Sequence, residues 1–330
     1  MMVYWYECLL LYIVFFLVPT LGVDPTCECV VYQSNGLSQG HFHSPDYPER
    51  YPTNLNCVLY SFIGDVNEIV EINFVEMDLK PPTIYPNRQC TDRIRIFKNL
   101  DRAGINENSR HDHELCGNLS NLEDKKFFSS GRALVFEFHS EFSSSPRYTG
   151  FKGIYTFLEK SAFSTDGVLE IGTQCTWHFQ SATKQTSGKF FSPKYPQKYS
   201  RLANCRYIFN GRESEIVKVI FNIIKLPKVN TQRSGCDGVG DVIRVFDGRD
   251  STGKLLNEIC DTQNQVQTQS TGSYLYIEFM SDSHHEKQGF SAVYDFVTEF
   301  PDVDTTVISG GSLQNPGSTS KFTYHVYFQT

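Results

Sequence analysis

The chain has no Cys-x2-Cys pair, no apolar run long enough to span a bilayer and no excess of positive charge. Each absence removes a class of function. Structural zinc sites are built on closely spaced cysteine pairs, and the closest cysteines here, Cys27 and Cys29, are separated by a single residue. The formal net charge is -7, with acids and bases interspersed, so no basic face exists to collect phosphates and nucleic acid is set aside. The longest apolar stretch, Leu9 to Val18, falls well short of the roughly 20 residues a spanning helix needs. Stretches with a 3.6-residue apolar stripe are scarce, which argues against a helical protein. No G-x-S-x-G, protease or kinase signature occurs, so the chain offers no visible nucleophile or base and reads as non-enzymatic.

What is present begins with an export signal. Residues 1–22 hold the short apolar run followed by small residues, Thr20 and Gly22, at the positions a signal peptidase prefers. The opening "MMVYWYEC" lacks Lys and Arg and contains Glu7, an unusual start that leaves an uncleaved anchor or a faulty start site as the alternatives. Behind an export signal the remaining cysteines, Cys27, Cys29, Cys57, Cys90, Cys116, Cys175, Cys205, Cys236 and Cys260, are expected in disulfides. The 330 residues, 40% hydrophobic and 14% aromatic, suggest two domains rich in strand-forming side chains.

The chain then repeats itself. "SPDYPERYPTNLNC" from Ser44 to Cys57 returns as "SPKYPQKYSRLANC" from Ser192 to Cys205. The flanks follow: "YSFIGDVNEIVEINF" from Tyr60 answers "YIFNGRESEIVKVIF" from Tyr207, "DRIRIF" from Asp92 answers "DVIRVF" from Asp241, and "GFKGIYTF" from Gly150 answers "GFSAVYDF" from Gly289. A unit of this length is a domain, not a solenoid repeat. Val70, Ile72 and Phe74, like Val217, Val219 and Phe221, alternate with outward positions, the period of a strand with one face buried. Asp247-Gly248 supplies a turn at the end of one such strand. Pro45 and Pro48, and Pro193 and Pro196, mark the repeated stretch as an extended turn leading into a strand, with Tyr47 and Tyr195 expected to pin it to the body. An antiparallel β-sandwich accounts for the pattern.

The order Cys, G-x-F-x-S-P-x-Y-P, Cys, then Cys, an Asp-started strand, Cys and a final G-F-x-x-x-Y resembles the CUB domain, twice over. The resemblance implies an all-β chain of two tandem jelly-roll-like sandwiches, residues 27–160 and 175–298, joined by a linker, 161–174. It also implies the disulfides Cys90 with Cys116, Cys175 with Cys205, and Cys236 with Cys260, each worth about 3 kcal/mol in the chain-entropy model. In the first domain either Cys27 or Cys29 would pair with Cys57. Cys27 reproduces the Cys175–Cys205 spacing, Cys29 directly precedes "VVYQS", and the one left over would be an odd thiol.

Many CUB domains bind calcium through a Glu and two Asp residues. Carried over, Asp241 and Asp282 of the second domain occupy the Asp positions while the Glu position falls near Pro227. The first domain has Asp92, Glu141 and, near the Glu position, Lys80. Calcium is therefore a candidate in the second domain, with a hydrogen-bonded loop cap as the alternative. His111-Asp112-His113 and His284-His285 lie among polar residues with no accompanying nucleophile pattern and read as solvated loop histidines. Asn118-Leu119-Ser120 is an N-glycosylation sequon after the signal, in a polar loop. Residues 299–320 have a linker composition rich in Gly, Ser and Thr, and "KFTYHVYFQT" at 321–330 alternates as the first strand of a further, truncated domain would.

The paired arrangement, with "FSSGRALVFEFHSE" in the first domain and "FFSPKYP" in the second, is also similar to the suppressor-of-lurcher group, which are auxiliary proteins of ionotropic glutamate receptors. That similarity implies a secreted protein, or one on the outer face of the plasma membrane, that binds an extracellular protein or receptor ectodomain. The non-catalytic CUB region of a secreted protease and a secreted ligand or carbohydrate binder are the other readings.

Overall fold

The structure is a computed structural model that describes residues 27–83, 89–100, 104–106, 109–142, 147–182, 185–227, 236 and 240–298. The expected signal at 1–22 and the tail at 299–330, with its candidate strand, lie outside them. The first domain contains β1 (Glu28–Gln33), β2 (Gln39–His43), β3 (Val58–Ile63), β4 (Glu68–Asp78), β5 (Arg93–Phe97), β6 (His113–Leu115), β7 (Lys126–Phe128), β8 (Ala133–His139) and β9 (Gly150–Glu159). The second contains β10 (Val168–Leu169), β11 (Thr176–Gln180), β12 (Ser187–Phe191), β13 (Asn204–Asn210), β14 (Glu215–Lys225), β15 (Val242–Asp247), β16 (Lys254–Ile259), β17 (Gln263–Gln269), β18 (Tyr274–Met280) and β19 (Gly289–Thr298).

In the first domain the sheet β1-β3-β8-β5-β6 faces the sheet β2-β9-β4-β7. The second repeats this order as β11-β13-β18-β15-β16 against β12-β19-β14-β17, with β10 added beside β11. The alternating residues of β4 and β14 point as their period requires: Val70, Ile72, Phe74, Val217, Val219 and Phe221 are all buried. They meet the other sheet through an aromatic layer centred on the Phe of each G-x-F-x-S-P motif. Phe42 lies 5.3–5.5 Å from Phe74, Phe62 and Phe136, and Phe190 lies 5.2–5.7 Å from Tyr207, Phe209 and Phe290.

The same motif explains the glycine that opens the last strand. Ser44 Oγ accepts the N–H of Phe151 at 3.1 Å, and Ser192 Oγ accepts that of Phe290 at 3.0 Å. A Cβ on Gly150 or Gly289 would stand 2.0 Å from these hydroxyls, and both glycines have positive φ, +94° and +83°. No other residue type meets both conditions.

The sandwich is not wholly antiparallel. β1 runs parallel to β3, with Glu28 opposite Val58, and β11 runs parallel to β13, with Thr176 opposite Arg206. A parallel pair needs a long crossover, and β2 or β12 supplies it by visiting the opposite sheet. The bonded cysteines stand one step before these registers, Cys27 with Cys57 and Cys175 with Cys205, each 30 residues apart. Cys90–Cys116 and Cys236–Cys260 are bonded as well.

The two first bonds nevertheless sit on different faces. Tyr60 and Tyr207 hold equivalent places, each donating its hydroxyl to the carbonyl of the residue that ends the preceding strand, His43 at 2.9 Å and Phe191 at 2.8 Å. Cys205 lies two residues before Tyr207, whereas Cys57 lies three before Tyr60. One extra residue moves a side chain to the other side of a sheet. Cys175 and Cys205 accordingly join the main core, while Cys57 packs with Leu59, Val135, Cys27 and Cys29 in a satellite cluster. Cys29 is not left as an odd thiol, since no described cysteine is free. The pairing of Cys27 follows the spacing; what is corrected is the expectation of an odd thiol.

Candidate binding site

The repeated turn delivers a buried tyrosine, but not the expected one. Tyr47 and Tyr195 are only partly covered; Tyr47 donates its hydroxyl to Glu76 at 2.6 Å. The anchors are Tyr51 and Tyr199, four residues on, both fully inside. Both copies show a tyrosine at this point, "PERY" and "PQKY", which is the signal that would have found them.

In the second domain the Tyr199 hydroxyl donates to Asp241 Oδ2 at 2.5 Å, and Asp241 Oδ1 accepts the N–H of Asp282 at 2.6 Å. The Asp282 carbonyl then accepts the N–H of Leu202 at 2.8 Å. Three separate segments, the opening turn, the start of β15 and the end of β18, are thus closed into one clamp around an aspartate 2% exposed. The first domain repeats it: Tyr51 to Asp92 at 2.6 Å, Glu141 N–H to Asp92 at 3.2 Å, and Asn54 N–H to the Glu141 carbonyl at 3.3 Å. Burial and the hydrogen bond to aspartate hold the hydroxyls of Tyr51 and Tyr199 well above the usual phenol range. The N–H groups of His284 and His285, bonded to Asp282 Oδ1 at 2.7 and 3.2 Å, hold the Asp282 carboxyl below the usual range.

The predicted calcium residues are therefore brought together, Asp241 with Asp282 and Asp92 with Glu141. Calcium takes six to eight oxygens. Asp241 and Asp282 are already engaged with protein donors, and the third position falls near Pro227, so main-chain carbonyls and water would have to complete a shell. In the first domain the fit is poorer: it is the main chain of Lys80 that bonds to the Tyr51 hydroxyl, and a lysine near the sequence position of the third acid brings no oxygen ligand of its own. Among the described residues no group of three His, Cys, Asp or Glu side chains is disposed to hold a metal.

The histidines divide. His284 and His285 are exposed at the rim of the second clamp. His113 is not a solvated loop residue: it lies in β6, half-buried with its ring 5.0 Å from Phe127, and burial lowers its pKa. Asp112 between the histidines accepts the N–H of Lys98 at 2.7 Å and the Asn99 amide at 2.6 Å, a turn role. Asn118 is exposed at the start of a short 3-10 turn, Leu119–Asn121. A cleft of about 810 Å³ opens beside it between Pro81, Leu115, Leu122 and Phe127.

The clamps carry exposed apolar residues on their rims. Leu202 is 74% exposed and Phe142, next to Glu141, is 77% exposed. Leu202 also has φ +55°, where the first copy places Asn54 at +66°. Asn adopts the left-handed region readily, whereas Leu does so only at a cost of about 1–2 kcal/mol.

Two disulfide-tied β-sandwiches of one topology, each with its loops gathered on a Tyr–Asp clamp, define a tandem recognition module. The family model for the CUB domain matches residues 28–155 and 175–294. The chain belongs to that family. It is 26% identical over 279 residues to human Neuropilin-2, covering 84% of this chain and 26% of that protein. To mouse Tolloid-like protein 2 it is 24% identical over 332 residues, covering 92% and 29%. Among solved structures, the CUB1-EGF-CUB2 domains of human MASP-1/3 match at 18% identity and a TM-score of 0.32, covering 79% of this chain and all of that one. The chain thus spans under a third of the length of these two curated relatives. Among the described residues no helix is long and apolar enough to cross a membrane.

Proposed function

We propose that this chain is a non-enzymatic, extracellular protein-binding pair whose contact surface is the rim of the clamps, with Leu202 of the second domain as its anchor. CUB domains are extracellular protein-binding modules, and what supports this surface is one observation. A large apolar side chain stands in solvent on a left-handed backbone that its neighbours must hold in place. Strain kept at an exposed loop points to use of that residue. Phe142 offers a second apolar contact at the matching end of the first domain.

The partner proposed from the sequence motifs is an ionotropic glutamate receptor ectodomain. Co-expression with such a receptor, reading currents and co-purification, tests it. The unaltered chain is expected to change the current and to co-purify, and Leu202→Asn, which installs the residue the first copy uses, is expected to fold and to lose both. No effect of the unaltered chain on either readout removes the receptor assignment. If Leu202→Asn binds as well as the unaltered chain, the contact lies elsewhere. The alternative, the non-catalytic region of a secreted protease, is told apart by the coding sequence beyond Thr330.

Two modifications belong to the proposal. Calcium enters only in the second domain, held by Asp241 and Asp282; a rise in Tm on adding calcium, lost in Asp282→Asn, checks it, and no rise removes the metal. A glycan on Asn118 would stand over the neighbouring cleft and keep it from partners; the mass shift on enzymatic deglycosylation should vanish in Ser120→Ala.

A further inference from the structure

The opening turns of the two domains have the same backbone, with Asp46 at φ +57° and Lys194 at +63°, yet they are covered differently. Pro48, Glu49 and Arg50 are exposed, whereas their counterparts Pro196, Gln197 and Lys198 are buried or half-buried. What covers the second turn is the first domain. Lys198 pairs with Asp124 at 2.6 Å, each side chain 29% exposed, and Lys287 pairs with Glu123. The Gln197 amide donates to the carbonyl of Phe128 in β7 at 3.3 Å.

The connection reinforces this docking. The stretch 161–174 is not a loose tether: Asp166 accepts the N–H of Lys189 at 2.8 Å and returns its own N–H to the Lys189 carbonyl at 3.0 Å. Phe163 packs 6.0 Å from Tyr195 and 6.3 Å from Phe191. The chain is thereby fixed to the second domain within a few residues of leaving β9.

We propose that the segment Leu122–Phe128 of the first domain is a docking surface for the opening turn of the second, so that the two domains form one electrostatically clasped body. The divergence between the copies fits this division of labour. Where the uncovered turn has Asp46, Glu49 and Arg50, the docked turn has Lys194, Gln197 and Lys198. A turn bearing Asp46 and Glu49 would set like charge against Glu123 and Asp124. In the second domain β17, which pairs with β14 as β7 pairs with β4, reads QNQVQTQ and carries no acidic residue, so that strand has no counterpart to Glu123 and Asp124.

An isolated surface ion pair contributes little, but two pairs and an amide bond closing one tethered contact act at high effective concentration. Small-angle X-ray scattering on the two-domain chain reads the clasp directly. Glu123→Lys with Asp124→Lys should raise the ratio of open to clasped molecules roughly tenfold, seen as a longer maximum dimension. Adding Lys198→Glu and Lys287→Glu should restore the original profile by swapping the charges. An unchanged profile in the reversed variant, or failure of the four-fold swap to restore it, overturns the proposal. Should the reversed chain not fold, the unaltered chain carries the same test. In about 1 M salt, where screening acts within roughly 3 Å, its profile should lengthen, and a constant profile counts against the clasp. Receptor binding is not part of either readout, so the clasp and the contact surface stand or fall separately.

Discussion

At the scale of single residues, the clamp rests on one hydroxyl in each domain. Asp241 is buried, and its Oδ2 atom accepts from Tyr199. Tyr199→Phe keeps the ring and removes the donor, so a buried carboxylate loses a partner at a cost of about 1–3 kcal/mol. Tyr51→Phe should cost the first domain a similar amount through Asp92. Urea unfolding of each variant measures this, and an unshifted midpoint would mean that the hydroxyl is dispensable. Leu202 runs the opposite way. Replacing it with Asn should leave stability equal or raise it by up to about 1 kcal/mol, which separates loss of binding from loss of fold. The residue that mattered in the repeated turn was hidden in plain view, because sequence spacing cannot say which of two tyrosines in an irregular turn faces inward.

At the scale of elements, legibility followed periodicity. β4 and β14 could be read because Val70, Ile72 and Phe74, and their counterparts, alternate over a half-buried strand. β17, "QNQVQTQ", could not: it is an edge strand that pairs with β14 through its backbone and buries little, so no apolar pattern marks it. The parallel placing of β1 and β11 was equally invisible, since parallel and antiparallel neighbours show the same alternation. This placing makes the first disulfide of each domain a staple at the open end of a parallel pair. Replacing Cys175 and Cys205 by Ala should cost about 3 kcal/mol, with hydrogen exchange in β11 accelerating before that in β14. Equal protection of the two strands in that variant would contradict the staple role.

At the scale of the whole molecule, aromatic packing sets the behaviour at high pH. Burial raises Tyr32 and Tyr276 from the ordinary 10.0 to about 12, and it also raises Tyr51, Tyr60, Tyr199 and Tyr207. A phenol whose folded value lies above its unfolded value favours the folded state fully below the unfolded value. That contribution fades as pH rises through 10.0 toward 12. Both domains should therefore unfold in alkali, with tyrosinate absorbance and loss of sheet signal rising together. Tyrosinate formation well before any loss of sheet would show that these hydroxyls are reachable in the folded state. The clasp adds a consequence at this scale: the opening turn of the second domain is covered, and that of the first, Asp46 to Arg50, stays on the surface.

The sequence by itself determined the duplication, the β class and the strands with a buried face, because these follow from repeated motifs and a two-residue period that any reader can count. It also carried the motif residues Ser44, Gly150, Ser192 and Gly289, although not their reason for being there. The tertiary structure alone decided which residues meet. Cys27 is opposite Cys57 because β1 and β3 run parallel in one register, and that bond faces outward because a single extra residue turns Cys57 across the sheet. Asp241 joins Tyr199 and Asp282 because three loops converge at one end of a sandwich. Lys198 and Lys287 reach Asp124 and Glu123 because the second domain docks on the first. Contacts between residues far apart in the chain leave no local period, so they exist only once the chain has folded.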